Sequence, residues 1–203
     1  MHRKNKLVII GAGGHGRVCA EVASLAGYRE IVFLDDCPQG NSAVVGSTED
    51  LTPFLAEYDF FVGLGSNTLR KDFFERIKAL GGTFATLIHP NSTVSRLAVI
   101  GEGSVVMAGA VINFGARLGR GVIVNTCSSA DHDCRLNDFC HIGVGAHLAG
   151  TVEVGEVSFI GAGSAVINNI SIGDGVIVGA GAAVVRDLTE SGTYVGVPAR
   201  KIK

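Results

Sequence analysis

A six-residue period runs through the second half of the chain and constrains its fold more than any other feature. Stepping by six from Ile100 meets only apolar residues: Ile100, Val106, Ile112, Leu118, Val124, Ala130, Leu136, Ile142, Leu148, Val154, Ile160, Val166, Ile172, Val178 and Val184. Because 47% of the residues are hydrophobic, chance would give such a row on the order of 10⁻⁵ of the time. A helix repeats every 3.6 residues and a strand every two, so the period indicates another architecture.

A second row of mostly small or aliphatic residues lies four positions after the first: Ser104, Ala110, Ala116, Val122, Ser128, Cys134, Cys140, Ala146, Val152, Ser158, Ser164, Ile170, Val176, Ala182 and Leu188. Two inward rows per six residues predict a hollow prism of stacked coils, with the repeat spanning residues 88–189 without insertions. The pattern resembles the parallel β-helix of hexapeptide acyltransferases, and this resemblance implies three hexads per coil and between five and six coils, roughly 27 Å tall. Glycine often follows the first row, and we expect unusual φ and ψ there, at corners, for Gly101, Gly119, Gly143, Gly155, Gly161, Gly173 and Gly179.

The first 87 residues follow a different pattern, in which short apolar runs alternate with helical stretches. We predict strands at 7–10, 31–34, 60–64 and 84–88, and helices at 16–26, 48–57 and 68–80. That order predicts a small parallel sheet with helices packed on it, resembling half of a dinucleotide-binding domain. The sequence therefore predicts an α/β domain over residues 1–87 and a solenoid domain over residues 88–203.

The composition indicates the cellular compartment and argues against some classes of partner. The formal net charge is −2 and no basic block occurs, so we expect no nucleic-acid partner. No apolar run reaches the ~18 residues of a spanning helix, and the first six residues, MHRKNK, show no signal-peptide pattern. The five cysteines form no CxxC pair. We expect a cytoplasmic protein without a membrane partner.

A glycine-rich loop follows the first predicted strand. Residues 11–16, GAGGHG, match GxGxxG between a strand and a helix, where backbone N–H groups bind phosphate. Asp35 and Asp36 end the next strand, where a carboxylate could accept hydrogen bonds from a ribose or a base. NAD is one candidate ligand. A nucleotide diphosphate linked to a sugar suits this shorter domain better, and Gly65, in the strand-end segment GLGSN, is expected at the same crevice; both segments could also be plain turns.

The most polar interruption of the solenoid is the segment NTCSSADHDC, residues 125–134. His132 is flanked by Asp131 and Asp133, and a carboxylate beside an imidazole favours its protonated form, as a general base requires. The sequence leaves open which aspartate supports His132. The alternative is a solvated corner without chemistry.

Zinc is a further alternative, because histidines and cysteines are abundant in this region: His132, Cys134, Cys140, His141 and His147. Cys134 and Cys140 lie on the inward row and the histidines do not, so their side chains point to different faces. We therefore expect no metal and take His147 as a surface residue, and we keep a metal-dependent solenoid such as a gamma-type carbonic anhydrase as an alternative.

Together, the motifs GAGGHG, FLDD, GLGSN, NTCSSADHDC, CHIGVGAHLAG and GVPARKI resemble the NeuD/PglD-type sugar acyltransferases with hexapeptide repeats, and most closely the PglD-like UDP-4-amino-sugar N-acetyltransferases. The resemblance covers essentially the whole chain. It implies a left-handed parallel β-helix and a homotrimer with active sites between subunits. It also implies a reaction in bacterial glycan biosynthesis, the transfer of the acetyl group of acetyl-CoA to the C4 amine of a nucleotide-linked 4-amino-4,6-dideoxy sugar. The nucleotide is UDP in the members that the chain resembles most.

The resemblance also implies roles for individual residues. His132 would be the general base, supported by Asp133, and His141 would contact the acetyl-CoA thioester. The remaining positions comprise backbone contacts to acetyl-CoA at Gly150, Ala162 and Ala180, and contacts to the nucleotide sugar at Gly13, Gly14, His15, Asp35, Asp36 and Gly65.

Four other functions stay open on the residues alone. They are O-acetylation of a sugar such as sialic acid, N-acetylation of a GDP- or dTDP-linked amino sugar, an NAD-dependent oxidoreductase, and a trimeric solenoid without catalytic activity.

Overall fold

The computed structural model describes residues 4–37 and 43–203. The α/β unit contains β1 (Lys6–Ile10), α1 (Gly14–Leu25), β2 (Glu30–Leu34), β3 (Val44–Gly46), β4 (Asp59–Val62) and α2 (Asn67–Ala79). Its four strands are parallel, in the order β3-β2-β1-β4. No helix among the described residues is long and apolar enough to cross a membrane.

The central strand β1 is apolar because helices cover both of its faces. Leu7 and Ile9 join a cluster with α1, whereas Val8 and Ile10 join a second cluster with α2. Successive side chains of a strand point to opposite faces, so four consecutive apolar residues predict a strand buried on both sides. Parallel order then brings the carboxyl ends of β1, β2 and β4 to one edge of the sheet.

Two predicted elements of this unit are wrong. The stretch 48–57 is not an α-helix and holds a single 3₁₀ turn at Thr52–Phe54. Its start is occupied by local bonds, because Asp50 accepts from both the backbone N–H and the hydroxyl of Ser47, and Pro53 lacks an N–H. The stretch 84–88 is not the fourth strand of this sheet, since Phe84 makes only an isolated bridge to Phe60. The fourth strand is the short β3, which sequence reasoning missed. The turn predicted after Asp36 includes residues 38–40, which lie outside the described residues.

The rest of the chain forms a parallel β-solenoid with three faces. The strands are β5 (Leu87–Ile88), β6 (Thr93–Val94), β7 (Val99–Ile100), β8 (Val105–Val106), β9 (Val111–Ile112), β10 (Arg117–Leu118), β11 (Ile123–Val124), β12 (Ser129–Ala130), β13 (Arg135–Leu136), β14 (His141–Ile142), β15 (His147–Leu148), β16 (Glu153–Val154), β17 (Phe159–Ile160), β18 (Ala165–Val166), β19 (Ser171–Ile172), β20 (Val176–Val178), β21 (Ala183–Val184), β22 (Gly192–Val195) and β23 (Arg200–Lys201).

Each face is one sheet whose strands come from successive coils. The packed face holds eight strands, β5, β8, β11, β14, β17, β20, β22 and β23, and the α/β unit lies against it. The small-residue face holds β6, β9, β12, β15, β18 and β21. The charged face holds β7, β10, β13, β16 and β19.

The two predicted rows form the interior of the prism. Every member of both rows is buried except Ile100, which is partly buried in the first coils. From β5 to β21, paired residues on one face lie 18 positions apart, as in the pairing of Ile123 with Val105 and with His141. The predicted register of three hexads per coil is therefore confirmed up to the last coil, where the spacing falls to 16 as Leu188 pairs with Ile172 and Gly192 with Val176.

The prediction of unusual φ and ψ at the glycines that follow the first row is wrong. Left-handed backbone occurs two residues after the predicted glycines, at every sixth position from Gly103 to Gly181, and Cys127, Asp133 and Phe139 adopt it as well. The predicted glycines instead allow close stacking, since a Cβ at Gly143 would come within 2.6 Å of the Ile160 carbonyl oxygen in the next coil. Coil-to-coil contact, rather than φ, explains those glycines.

Candidate active site

The far edge of the prism joins the small-residue face to the charged face and lies opposite the packed face. His132 and Asp133 occupy this edge after β12, and their side chains are 57% and 53% exposed. Asp133 Oδ2 lies 3.0 Å from His132 Nδ1, whereas Asp131 Oδ1 accepts from the backbone N–H of His132 at 2.7 Å. Asp133 is thus the carboxylate on the imidazole, and Asp131 shapes the turn.

The hydrogen bond to Asp133 leaves Nε2 as the outer nitrogen of His132. A carboxylate accepts only, so Nδ1 carries the proton and Nε2 holds the lone pair. Asp131 is fixed in turn by Asn113, whose Nδ2 donates to Oδ1 at 2.7 Å. This bond, followed by the one from the His132 N–H, lowers the pKa of Asp131. The edge therefore presents Nε2 as the acceptor nitrogen of His132.

Two glycines bracket the imidazole and its carboxylate from neighbouring coils. A Cβ at Gly150, in the following coil, would lie 2.5 Å from His132 Cε1 and closer still to Nε2. A Cβ at Gly115, in the preceding coil, would lie 2.5 Å from Asp133 Oδ1. Side chains at either position would displace the pair, so these glycines form the slot that the pair occupies.

His141 lies on the packed face and is buried against the α/β unit. Asn125 Oδ1 accepts from the backbone N–H of Thr126 at 2.8 Å, which turns Nδ2 toward His141 Nε2 at 3.0 Å. Nε2 then accepts and Nδ1 carries the hydrogen. Nδ1 is buried and forms no hydrogen bond with any described residue.

Burial, followed by the charge of Arg70, lowers the pKa of His141 to about 3. The backbone of Gly65 opposes this shift. At neutral pH, His141 is therefore an uncharged imidazole.

The glycine-rich loop provides open space at the carboxyl edge of the sheet. A Cβ at Gly13, Gly14 or Gly65 would meet no atom within 4 Å, whereas one at Gly16 would clash with the Gly11 carbonyl. Gly16 is thus a packing residue, while Gly13, Gly14 and Gly65 leave a surface that a ligand can approach. The backbone N–H groups at the start of α1 face this surface.

Asp35 and Asp36 hold this edge together. Asp35 Oδ2 accepts from the backbone N–H of Ala12 at 2.6 Å, and Asp36 accepts from the backbone N–H and the hydroxyl of Thr48 at 2.9 and 2.8 Å. The bonds from Thr48 lower the pKa of Asp36. Both carboxylates retain lone pairs for a ligand.

His15 is the side chain of the loop that reaches toward the solenoid. Its ring centroid lies 6.3 Å from that of His141, and its Nε2 lies 3.5 Å from Cys19 Sγ. Burial, and then the charge of Arg70, lowers the pKa of His15 to about 4. The loop and His141 therefore meet within one chain.

His132 does not join this group within one chain. It lies on the far edge, whereas His141 lies on the packed face, with the prism interior between them. Ala162 and Ala180 lie on the third edge, where they are exposed. The backbone N–H groups of Gly150, Ala162 and Ala180 donate no hydrogen bond within the described part of the chain.

Metal ligation finds no support among residues 4–37 and 43–203, where no group of three His, Cys, Asp or Glu residues could hold an ion. Cys134 and Cys140 are buried in the prism interior and His147 is exposed, so these side chains do not converge. All five cysteines are unpaired.

Sequence reasoning missed Asn125, Gly115 and Arg70. A signal existed for two of them, because Asn125 and Gly115 lie 16 and 18 residues before His141 and Asp133, close to one coil away. Arg70 lies on α2, and nothing in its local pattern marks a buried cation.

The fold and the site define a class of protein, a hexapeptide-solenoid acyltransferase preceded by an α/β domain with an open glycine-rich loop. Comparison with known proteins agrees. Residues 6–77 match the PglD N-terminal domain. The acetyltransferase domain of PglB from Neisseria gonorrhoeae FA1090, solved in complex with acetyl coenzyme A, is 46% identical over 98% of this chain and 100% of that one, with a TM-score of 0.95.

Two curated relatives are sugar N-acetyltransferases. UDP-N-acetylbacillosamine N-acetyltransferase of Bacillus subtilis (strain 168) is 39% identical over 50% of this chain and 51% of its own length. GDP-perosamine N-acetyltransferase of Escherichia coli O157:H7 is 30% identical over 74% of this chain and 73% of its own length. The chain belongs to this family of sugar N-acetyltransferases and is an acyltransferase. The predicted fold class, a small parallel α/β domain followed by a left-handed β-helix, is thereby confirmed.

Proposed function

We propose that the protein transfers the acetyl group of acetyl-CoA to the C4 amine of a UDP-linked 4-amino-4,6-dideoxy sugar in bacterial glycan biosynthesis. The observation that carries the proposal is the His132–Asp133 pair, exposed on the far edge and held between Gly115 and Gly150. Relatives named for a UDP sugar and for a GDP sugar both support an amino sugar on a nucleotide. The paired carboxylates Asp35 and Asp36 favour UDP.

The α/β domain and the solenoid have separate roles in this proposal. Residues 1–87 bind the nucleotide sugar, with the diphosphate at Gly13, Gly14 and His15 and the nucleoside toward Asp35, Asp36 and Gly65. Residues 88–203 carry acetyl transfer. The open faces of Gly13, Gly14 and Gly65 support this division because they leave the backbone accessible.

In the reaction, the nitrogen of the sugar C4 amine attacks the thioester carbonyl, and His132 Nε2 takes a proton from that nitrogen. Asp133 stabilises the resulting imidazolium through Nδ1. The new C–N bond forms, the C–S bond breaks, and CoA leaves as the thiolate, which takes up the proton from the His132 imidazolium. Backbone N–H groups at Gly150, Ala162 and Ala180 hold acetyl-CoA, and the N–H of His141 contacts its thioester region.

A second copy of the chain completes the site, and we propose a homotrimer. His132 and His141 lie on opposite sides of one prism, so a substrate that touches both must lie between two prisms. The small-residue face offers a flat surface, with Ser129, Ala165 and Ala183 pointing outward. We place the reaction in the cytoplasm, because five unpaired cysteines suit a reducing compartment.

Thiol release from acetyl-CoA, measured over a panel of UDP-, GDP- and dTDP-linked 4-amino sugars, tests the activity. We expect turnover with at least one amino sugar and fastest turnover with a UDP sugar. His132→Ala should lower kcat by about 10²- to 10⁴-fold. Turnover of a hydroxyl sugar with every amino sugar inert would show O-acetylation instead.

Subunit mixing tests the composite site. His132→Ala and Gly14→Val should each be inactive, and the two are unfolded together and refolded as a mixture. If each site takes His132 from one copy and the glycine loop from another, random mixing restores about a quarter of wild-type activity. A mixture that stays inactive would place both groups on one chain and contradict the proposal.

A further inference from the structure

Arg70 is a fully buried cation in the second half-turn of α2, 1% exposed, and the largest side chain buried to this extent. No described Asp or Glu forms an ion pair with it. Burial lowers the pKa of Arg70 to about 10, so the guanidinium stays charged at neutral pH. A buried charge without a counter-ion is costly, and it persists only where its hydrogen bonds are satisfied.

Carbonyl oxygens take the place of a carboxylate. On the near edge of the prism, between the charged face and the packed face, Nε donates to Gly121 O and Nη2 to Phe139 O, each at 2.7 Å. On the α/β unit, Nη1 donates to Leu64 O at 3.0 Å, in the loop after β4. One rigid fork thus joins two coils to the loop that contains Gly65.

Asn67 extends the same junction by one coil. Its Oδ1 accepts from Arg70 Nη2 at 2.8 Å, and its Nδ2 donates to Val157 O at 2.9 Å and Ser158 O at 3.0 Å. Gly121, Phe139 and Val157 are the left-handed residues of three successive corners. Arg70 and Asn67 therefore bind a repeating feature of the solenoid backbone.

The same guanidinium acts on both buried imidazoles. Its charge lowers the pKa of His15 and of His141, each after burial as the larger cause. The other titratable groups around it are Cys19 from α1 and Cys140 from the solenoid, and burial raises the pKa of both thiols. Arg70 is therefore the fixed charge between the glycine loop and the packed face.

We propose that Arg70 is a positioning residue for acetyl transfer: its guanidinium fixes the α/β unit on the near edge and so sets the spacing between the nucleotide-sugar loop at His15 and the acetyl-CoA contact at His141. This inference rests on the proposed function. Arg70 touches neither substrate, so its loss misaligns two substrates that still bind. Alignment of reacting groups acts on kcat, and a displacement of about 1 Å can cost ~10²-fold.

The test compares Arg70→Met with Arg76→Met. Arg76 lies on the same helix but pairs with Glu49 at the surface, so it controls for the substitution itself. We expect Arg70→Met to lower kcat at least ~10-fold while both KM values stay within about threefold, and Arg76→Met to match wild type. Guanidinium ion added to Arg70→Ala should restore kcat, with no effect on wild type beyond its general denaturing action.

Other results would overturn the inference. An unchanged kcat in Arg70→Met, or a raised KM with kcat intact, excludes positioning, as does the absence of guanidinium rescue. If Arg70→Met does not fold, Asn67→Leu must give a smaller loss of kcat with unchanged KM values, and normal kcat in that variant refutes the inference.

A substrate-free measurement separates this inference from the proposed function. Titration of the histidine ring signals by NMR should show a higher pKa for His15 and His141 in Arg70→Met than in wild type, and no change in Arg76→Met. If wild type acetylates no amino sugar, the proposed function fails whatever the ring titration gives. Unchanged ring pKa values in an active enzyme would count against Arg70 alone.

Discussion

Gly150→Ala is the sharpest test of the slot that holds His132. The backbone at Gly150 is not left-handed, so alanine fits its φ, and the added methyl group acts only through contact. That methyl carbon would lie 2.5 Å from His132 Cε1. Ordinary contact begins near 3.4 Å, so the imidazole must retreat by about 0.9 Å.

The expected result is a loss of rate with little loss of stability. His132 is 57% exposed and can swing away, so we expect the free energy of unfolding to change by less than ~1 kcal/mol. A displacement of that size from the reacting amine should lower kcat by about 10- to 100-fold, equivalent to ~1.4–2.7 kcal/mol of activation free energy. Thiol-release kinetics give kcat, urea denaturation gives stability, and calorimetry gives acetyl-CoA affinity, which should shift less than about threefold.

Gly175→Ala is the matched control. Gly175 has φ of +63° and its Cβ would meet only Ser191 Cβ at 3.8 Å, so alanine there strains the backbone without touching His132. We expect it to be less stable than Gly150→Ala, by ~1 kcal/mol, and fully active. Full activity in Gly150→Ala, or an equal loss of rate in the control, would refute the role assigned to the slot.

Three further predictions follow from other contacts. His15 and His141 have pKa values of about 4 and about 3 in the folded chain, whereas an unfolded histidine has a pKa near 6.5. The free energy of unfolding should therefore be highest above pH 6.5 and should fall below it, by ~1.4 kcal/mol per pH unit for each of the two histidines. Urea denaturation at several pH values measures this slope, and His141→Gln should halve it. Asp133→Asn retains a residue that tolerates left-handed backbone and should lower kcat about 10- to 100-fold without changing the melting temperature; an unchanged rate would remove Asp133 from the mechanism. Asp35→Ala frees the N–H of Ala12 and should raise KM for the nucleotide sugar ~10-fold while the affinity for acetyl-CoA stays unchanged. The same KM for the nucleotide sugar in wild type and variant would show that Asp35 does not shape the loop.

The solenoid could be predicted because its constraint is periodic and local. Each hexad requires an apolar residue at the same position, as at Ile142 and Ile160, and fifteen successive hexads make the pattern visible in a single sequence. The α/β unit was less predictable in the stretch 48–57, where Asp50 and Ser47 form local bonds that outcompete a helix. The short strand β3 carries too few residues for any period.

Part of the candidate site could likewise be predicted from the sequence, and part could not. His132 and the glycine loop could be found because their residue types stand out against an apolar background. The use of Asp133 rather than Asp131, the burial of His141 and the bracketing by Gly115 depend on contacts across coils or domains. Contacts between the domains leave no local pattern, and Arg70 donates chiefly to backbone carbonyl oxygens, which no residue type in the sequence marks.

The corner at every sixth residue gives the solenoid a fixed rule for changes of length. Eighteen added residues supply one more complete coil and lift everything above by one layer, whereas six added residues before His132 would turn it by a third of a revolution onto another edge. Whole added coils would therefore keep His132 on its edge of the prism, whereas an added hexad would not.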